Sequence, residues 1–177
     1  MLSDRMEKAI NKQINAEIYS AYLYLSMSAY AENAGLRGVA HWLFVQMQEE
    51  MTHAQRFYLY LIRVGARARL AAIEQPPAEF KTTLNVFEEV LKHERKVTAS
   101  INALADLAIQ DKDHATGVLL NWFVDEQVEE ESNATEIIAK LKLAGGKGEG
   151  LFMIDKDLAA RVFVPPPDLA AAGAPGA

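Results

Sequence analysis

A chain of 177 residues, half of them hydrophobic, is long enough to form one domain with a substantial core. The absence of cysteine excludes a disulfide-stapled module, a zinc site built on thiolates and a cysteine-bound iron–sulfur cluster. The net charge is −6 with no dense basic cluster, and no signal peptide or membrane-spanning segment is predicted, so we expect a cytoplasmic protein that binds neither nucleic acid nor membranes.

Four long segments lack glycine and proline and carry apolar residues at three- and four-residue spacing. This spacing is typical of amphipathic helices, and helices of this length would each extend for about 40–45 Å. The segments run from Asp4 to Asn33, from Val39 to Val64, from Lys81 up to Gly117, and from Val118 to Ala144.

The connections between these segments predict how the helices are arranged. Short turns near 33–38 and 111–113 make the first and second helices, and the third and fourth, antiparallel neighbours. The longer connection Gly65–Phe80 can run back along a bundle, and a small fifth helix is predicted over Asp155–Arg161. We therefore predict an all-α fold, a four-helix up-down bundle with one long crossover and a short C-terminal helix. It forms one domain over residues 1–166, followed by a flexible Ala/Pro/Gly tail over 167–177.

A glutamate interrupts the apolar stripe of each long helix near its middle. The four are Glu17, Glu50, Glu94 and Glu130, and His53 accompanies Glu50. Residues equally far from a hairpin turn lie at the same level. The midpoint between Glu17 and Glu50 falls in the first turn, and the midpoint between Glu94 and Glu130 falls in the second. We infer that all four carboxylates converge inside the bundle.

Four buried carboxylates and an imidazole at one level would repel, or stay protonated, unless metal ions compensate them. Oxygen ligands with one imidazole suit iron, and carboxylate di-iron bundles use a Glu-x-x-His motif on two helices. Here Glu50 and His53 form one such motif, whereas the fourth helix has Gln127 and Glu130 instead of the second. We therefore predict an asymmetric pair of metals. The ligands are Glu17, Glu50 and His53 for one metal, and Glu50, Glu94 and Glu130 for the other.

Other aromatic residues and histidines fit simpler roles. Tyr24 lies one stripe step from Glu17, where it fits either an ordinary core residue or a redox-active neighbour of the metals. Trp122 is predicted to be a core residue. Three histidines lie off the apolar stripes and are predicted to face solvent: His41, His93 and His114.

These motifs, in this order and spacing, resemble the non-haem ferritins of bacteria and archaea over roughly Ser3–Pro166. The match is dense at residues 13–17, 19–25, 48–50 and 126–130. The resemblance implies a ferroxidase that binds two Fe(II) ions inside the bundle and oxidises them with dioxygen or peroxide. It also implies that the ferric product forms a mineral inside a hollow homo-oligomeric shell, usually of twenty-four subunits.

The resemblance also assigns roles to individual residues. Gln127 matches a hydrogen-bonding neighbour of the irons, and Tyr24 matches the tyrosine beside them. The residues that match the paired-iron site are Glu17, Glu50, His53, Glu94 and Glu130. Those that match a third iron site of bacterial members are Glu49, Glu126 and Glu129.

Two departures and two alternatives accompany this interpretation. The chain lacks the second Glu-x-x-His motif of bacterioferritins, and Met51 occupies their haem-ligand position, where non-haem relatives also carry methionine, so no haem is expected. The segment Leu151–Pro166 resembles archaeal ferritins, some of which assemble with wide pores.

The main alternative is a rubrerythrin-like di-iron oxidase or peroxidase without storage. A purely structural bundle would have no metal affinity.

Overall fold

The computed structural model describes residues 2–166, and within them it contains five α-helices and no strand. The predicted all-α architecture is therefore confirmed, while the predicted tail over 167–177 lies outside the described residues. Among the helices of this described part, none is long and apolar enough to cross a membrane. The helices are α1 (Asp4–Asn33), α2 (Arg37–Arg63), α3 (Thr83–Asp111), α4 (His114–Leu143) and α5 (Gly148–Leu158).

Two helical hairpins form the bundle, because α1 packs most extensively on α2 and α3 on α4. The turn of the first hairpin contains Gly35 at φ +77°, and that of the second contains Lys112 at φ +54°. The crossover between α2 and α3 follows α1 along much of its length. Asn11 donates to the Arg67 carbonyl oxygen at 3.0 Å, and Ser26 donates to the Pro77 carbonyl oxygen at 2.7 Å.

The hydrophobic core consists of two clusters with a polar layer between them. The first cluster, near the start of α1, includes Met6, Ile10, Phe57, Ile101 and Phe123. The second, near the end of α1, includes Tyr24, Met27, Leu43, Phe87 and Ile137. Between the clusters lies the polar layer of buried residues Gln13, Glu17, Ser20, Gln46, Glu50, His53, Glu94, Gln127 and Glu130.

The predicted bounds of the fifth helix are wrong, since α5 spans Gly148–Leu158 rather than Asp155–Arg161. Gly150, which suggests a break in the sequence pattern, serves here to bring two helices together. A Cβ atom at Gly150, in the first turn of α5, would lie 2.7 Å from the Cβ of Ala144. The close packing of α5 on the end of α4 therefore requires glycine within a helix.

The start of α2 is where α5 docks. The N-cap residue Leu36 offers no side-chain hydrogen bond, and the Val39 amide instead donates to Asp155 Oδ1 at 2.8 Å. The first amides of a helix have no partner within the helix, so Asp155 satisfies one of them from another element. Gly38 lets the two backbones approach closely here.

Candidate metal centre

Five side chains predicted as metal ligands are deeply buried in the polar layer. Their exposed fractions are at most 4% for Glu17, Glu50, His53, Glu94 and Glu130. The first three form a compact group in which one ligand atom from each residue lies within 4.8 Å of the others. The structure therefore brings together one half of the predicted paired site, with ligands from α1 and α2.

The compact group has oxygen atoms that lack hydrogen-bond partners. Glu17 Oε2 and Glu50 Oε2 are buried and accept no hydrogen bond, and Glu50 Oε2 lies 3.5 Å from His53 Nδ1. A buried carboxylate oxygen without a partner is costly to keep, so such atoms need an explanation. A metal ion held by both carboxylates and the imidazole would satisfy them, so these residues fit the predicted ion.

Three buried glutamines each donate a hydrogen bond to a different carboxylate of the layer. Gln13 Nε2 donates to Glu17 Oε1 at 2.9 Å, and Gln46 Nε2 donates to Glu130 Oε2 at 2.6 Å. In the same way, Gln127 Nε2 donates to Glu94 Oε2 at 3.1 Å. These neutral donors orient the carboxylates without adding charge that would compete with a metal ion.

Glu94 also accepts a hydrogen bond from the hydroxyl of Tyr24, through its other carboxylate oxygen. Burial, followed by the charge of Glu94, raises the pKa of Tyr24 well above its usual value, so the phenol stays protonated. The prediction that Tyr24 lies beside the carboxylates is consistent with this contact. Its redox role stays a prediction.

Burial is the main reason why the carboxylates of the layer bind protons more tightly than usual. It raises the pKa of Glu17 and of Glu94, and it raises the pKa of Glu50 and of Glu130 well above the ordinary value of 4.5. The charge of Glu94 adds to the rise at Glu50 and at Glu130, which places all four carboxylates in one interacting cluster. Without metal, the layer is a set of acids that resist ionisation.

We expect the metal-free protein to lose stability as pH rises above the ordinary carboxyl pKa of 4.5. The carboxyls of the layer have higher pKa values in the folded protein than in the unfolded chain. Their contribution to the free energy of unfolding is therefore complete below the unfolded pKa of 4.5, and it is lost as pH rises through the folded-state pKa values. Thermal melts at pH values above 4.5 test the expectation. Zn(II) should reverse the loss, and calorimetry in buffers of different ionisation enthalpy should show proton release.

The isosteric variant Glu50→Gln is the control for this experiment, since it keeps the side-chain volume but removes one titrating group. It should flatten the dependence of the melting temperature on pH. A metal-free protein that becomes more stable as pH rises above 4.5, with no protons released on Zn(II) binding, would contradict the expectation.

The residues matched to a third iron site form a more open cluster next to the layer. Glu126 Oε1 lies 3.9 Å from His53 Nε2 with its side chain 29% exposed, and Glu129 is exposed. Burial, opposed by Arg161 and His53 but reinforced by the charges of Glu126 and Glu129, raises the pKa of Glu49. The structure thus places the three carboxylates near one another, and their metal role stays a prediction.

One expectation for a histidine is wrong. His93 does not face solvent: it contacts Ser20 Oγ at 2.7 Å, packs against Tyr19 and Tyr24, and burial lowers its pKa to about 4. Trp122 is half-buried and packs against the first core cluster, with its ring beside His53.

Sequence reasoning missed three residues that contact the site. Gln13 and Gln46 each lie four positions before a predicted ligand, on the same helix face, and that spacing was a usable signal. Arg161 lies beyond α5 and donates to both Gln46 and Glu49. No local pattern signals that contact, because it depends on how α5 docks.

Comparison with known proteins agrees with this architecture. The ferritin-like domain model of the ferritin family matches residues 7–144. A bacterial non-heme ferritin of Bacteroides fragilis is 47% identical over 161 residues, which cover 91% of this chain and all of that protein. One from Escherichia coli O157:H7 is 44% identical over 158 residues, covering 89% of this chain and 96% of that protein.

Solved structures show the same similarity in three dimensions. An engineered closed form of Archaeoglobus fulgidus ferritin superposes with a TM-score of 0.91 at 46% identity, covering 93% of this chain and all of that one. The open pore ferritin of the same archaeon gives a TM-score of 0.90 at 46% identity, covering 92% of this chain and all of that one. The family match spans most of the chain, and the identity extends over nearly the full length of these relatives. The chain therefore belongs to the ferritin family, and within it to the relatives of the bacterial non-heme ferritins.

Proposed function

We propose that this protein is an iron-storage ferritin that oxidises Fe(II) at a paired-iron site in each subunit and acts in the cytoplasm. The observation that carries the proposal is the buried group of Glu17, Glu50 and His53, with two carboxylate oxygens that lack partners. The buried carboxylates of Glu94 and Glu130 in the same layer supply ligands for a second ion.

The substrate is Fe(II), and each ion gives up one electron. A pair supplies the two electrons that reduce dioxygen, with two protons, to hydrogen peroxide, or peroxide to water. Glu50 belongs to the compact group and also interacts electrostatically with Glu94 of α3 and Glu130 of α4, so it is the residue that would be shared by both ions. Gln13, Gln46 and Gln127 hold the remaining carboxylates in orientation while the iron charge increases.

Tyr24 is placed to move a proton together with an electron. Its hydroxyl donates to Glu94, so if dioxygen or peroxide took one electron from the phenol, the proton of the phenol would pass to that carboxylate. The deep burial of both groups keeps this transfer away from bulk water.

We further propose that the subunits assemble into a closed shell, of twenty-four copies, in which the ferric product forms a mineral. Support comes from the similarity to ferritins over nearly the whole chain, including the archaeal ferritin with an open pore. An open pore is a property of an assembled particle in that relative, and the same fold is present here.

Aerobic Fe(II) titration of the metal-free protein, followed by particle sizing, tests the proposal. We expect a rapid oxidation phase that saturates at two Fe(II) per subunit, then slower growth of an iron core inside a particle of several hundred kilodaltons. A dimer that oxidises iron without a core would favour the rubrerythrin-like alternative. Absence of a rapid phase would contradict the paired-iron site.

A further inference from the structure

Arg161 reaches back from the segment after α5 onto the surface of α2. Its Nη1 donates to Gln46 Oε1 at 2.5 Å, and its Nη2 donates to Glu49 Oε2. The guanidinium carbon lies 4.4 Å from the ring centroid of Trp42, and the Arg161 carbonyl oxygen lies 2.8 Å from His41 Nε2. With its side chain only 19% exposed, Arg161 is held in one position by several contacts with α2.

The guanidinium lies against the open carboxylate cluster of Glu49, Glu126 and Glu129. Burial raises the pKa of Glu49 and of Glu126, the charge of Arg161 opposes that rise at both residues, and the charge of Glu129 adds to it. Arginine stays protonated at any ordinary pH. In the absence of a metal ion, Arg161 is therefore a permanent positive charge beside Glu49.

The same contact fixes a neighbour of the inner site. A guanidinium only donates hydrogen bonds, so it requires the oxygen of the Gln46 amide and leaves the nitrogen to face Glu130. The observed Gln46 Nε2 to Glu130 Oε2 distance of 2.6 Å fits this orientation. Arg161 thus connects the open cluster to the paired-iron layer through one amide.

A divalent cation bound to Glu49 and an arginine bound to the same carboxylate would bring like charges together. Arg161 cannot relieve the repulsion by losing a proton, so its side chain must leave when a metal ion binds there. Its departure breaks the contacts with Gln46 and Trp42 and leaves the contact between His41 and the Arg161 backbone oxygen to hold this residue on α2.

We propose that Arg161 is a tethered cation that competes with a metal ion for Glu49. Metal binding by Glu49, Glu126 and Glu129 and docking of the Arg161 side chain then exclude each other. This inference rests on a third iron site at Glu49, Glu126 and Glu129, which the resemblance to bacterial ferritins implies beside the proposed paired site. Arg161 makes that third site weaker than the paired site, so it fills last, and its filling loosens the segment after α5 on α2.

Calorimetric titration of the assembled, metal-free protein with Zn(II) tests the competition. We expect Arg161→Gln to strengthen the third binding event per subunit by about tenfold or more, because removal of a like charge is worth at least that factor. The matched control is Lys156→Gln, which removes a positive charge from the exposed face of α5 and should leave the third affinity unchanged. Arg161→Lys keeps the charge but loses the forked geometry, so its affinity for the third Zn(II) should fall between those of Arg161→Gln and Lys156→Gln.

Hydrogen exchange of the amides of residues 159–164 supplies a second readout. In the parent protein, exchange should accelerate when the third equivalent of Zn(II) is added. In Glu129→Gln, which lacks one carboxylate of the open cluster but keeps Arg161, the same addition should have little effect.

The outcomes separate this inference from the paired-iron proposal. The first two equivalents of Zn(II) report the paired site, and their absence would contradict that site alone. A third affinity equal in Arg161→Gln and Lys156→Gln, or no third binding in Arg161→Gln, would overturn the competition. So would a third equivalent that binds without any change in exchange at residues 159–164.

Discussion

Replacing Glu50 with alanine should lower the initial rate of aerobic Fe(II) oxidation by more than about 100-fold. Loss of a residue that only supports a metal ligand costs about 10–100-fold, and Glu50 is itself a proposed ligand. Glu50 belongs to the compact group on α1 and α2 and interacts electrostatically with Glu94 of α3 and Glu130 of α4, and it is the shared ligand of the proposed paired site. Without it, the proposed pair of ions would not be held together, so the two-electron step would lose its paired donor. Stopped-flow absorbance after mixing with Fe(II) measures the effect.

His53→Ala should have the same consequence, since His53 is the sole imidazole in the compact group. Both variants should assemble into particles of normal size, because deletion of a buried polar side chain removes a desolvation cost even though it leaves a gap. The matched control is Glu136→Ala, an exposed glutamate of α4 paired with Lys140. Oxidation at the parental initial rate in Glu50→Ala particles would refute the paired-iron assignment.

Gly38→Ala should displace α5 from the start of α2. A Cβ atom at this position would lie 1.6 Å from the backbone oxygen of Asp155, a distance that no side-chain rotation can relieve. Either α5 moves or the first turn of α2 distorts, and the hydrogen bond from Val39 to Asp155 is lost in both cases. Overpacking of this kind costs about 1–3 kcal/mol of stability.

Denaturant unfolding measures that loss, and limited proteolysis in the connection between α4 and α5 detects a released helix. Gly117→Ala is the matched control, because Gly117 lies within α4 with nothing close to an added Cβ. Alanine there should be neutral or stabilise the helix by up to about 1 kcal/mol. Equal stability of Gly38→Ala and the parent protein would contradict the docking geometry.

The bundle could be predicted from sequence because long amphipathic segments and their turns are local signals. Gly35 and Asp113 mark the ends of helices whose apolar spacing is unambiguous. The predicted bounds of the fifth helix are wrong because Gly150 acts through its contact with the end of α4, and local propensity carries no information about that contact.

The candidate ligands could be predicted because a carboxylate on an apolar stripe conflicts with burial. This conflict identifies the four glutamates Glu17, Glu50, Glu94 and Glu130. Gln13 and Gln46 are neutral, so their burial conflicts less with an apolar stripe. Arg161 could not be predicted, because its partners lie more than one hundred positions earlier in the chain. The burial of His93 could not be predicted for a related reason, since Ser20 and two tyrosines of another helix cover it.

The division of the hydrophobic core by the polar layer has a consequence for cooperativity. Each apolar cluster can keep its own packing while the layer takes up water, so the metal-free subunit should contain two partly independent cooperative units. All four long helices pass through both units, so a local opening begins as fraying at one end of the bundle and stops at the layer. A pair of ions bound by residues from all four helices would join the units into one, which makes iron loading a structural event for the whole subunit.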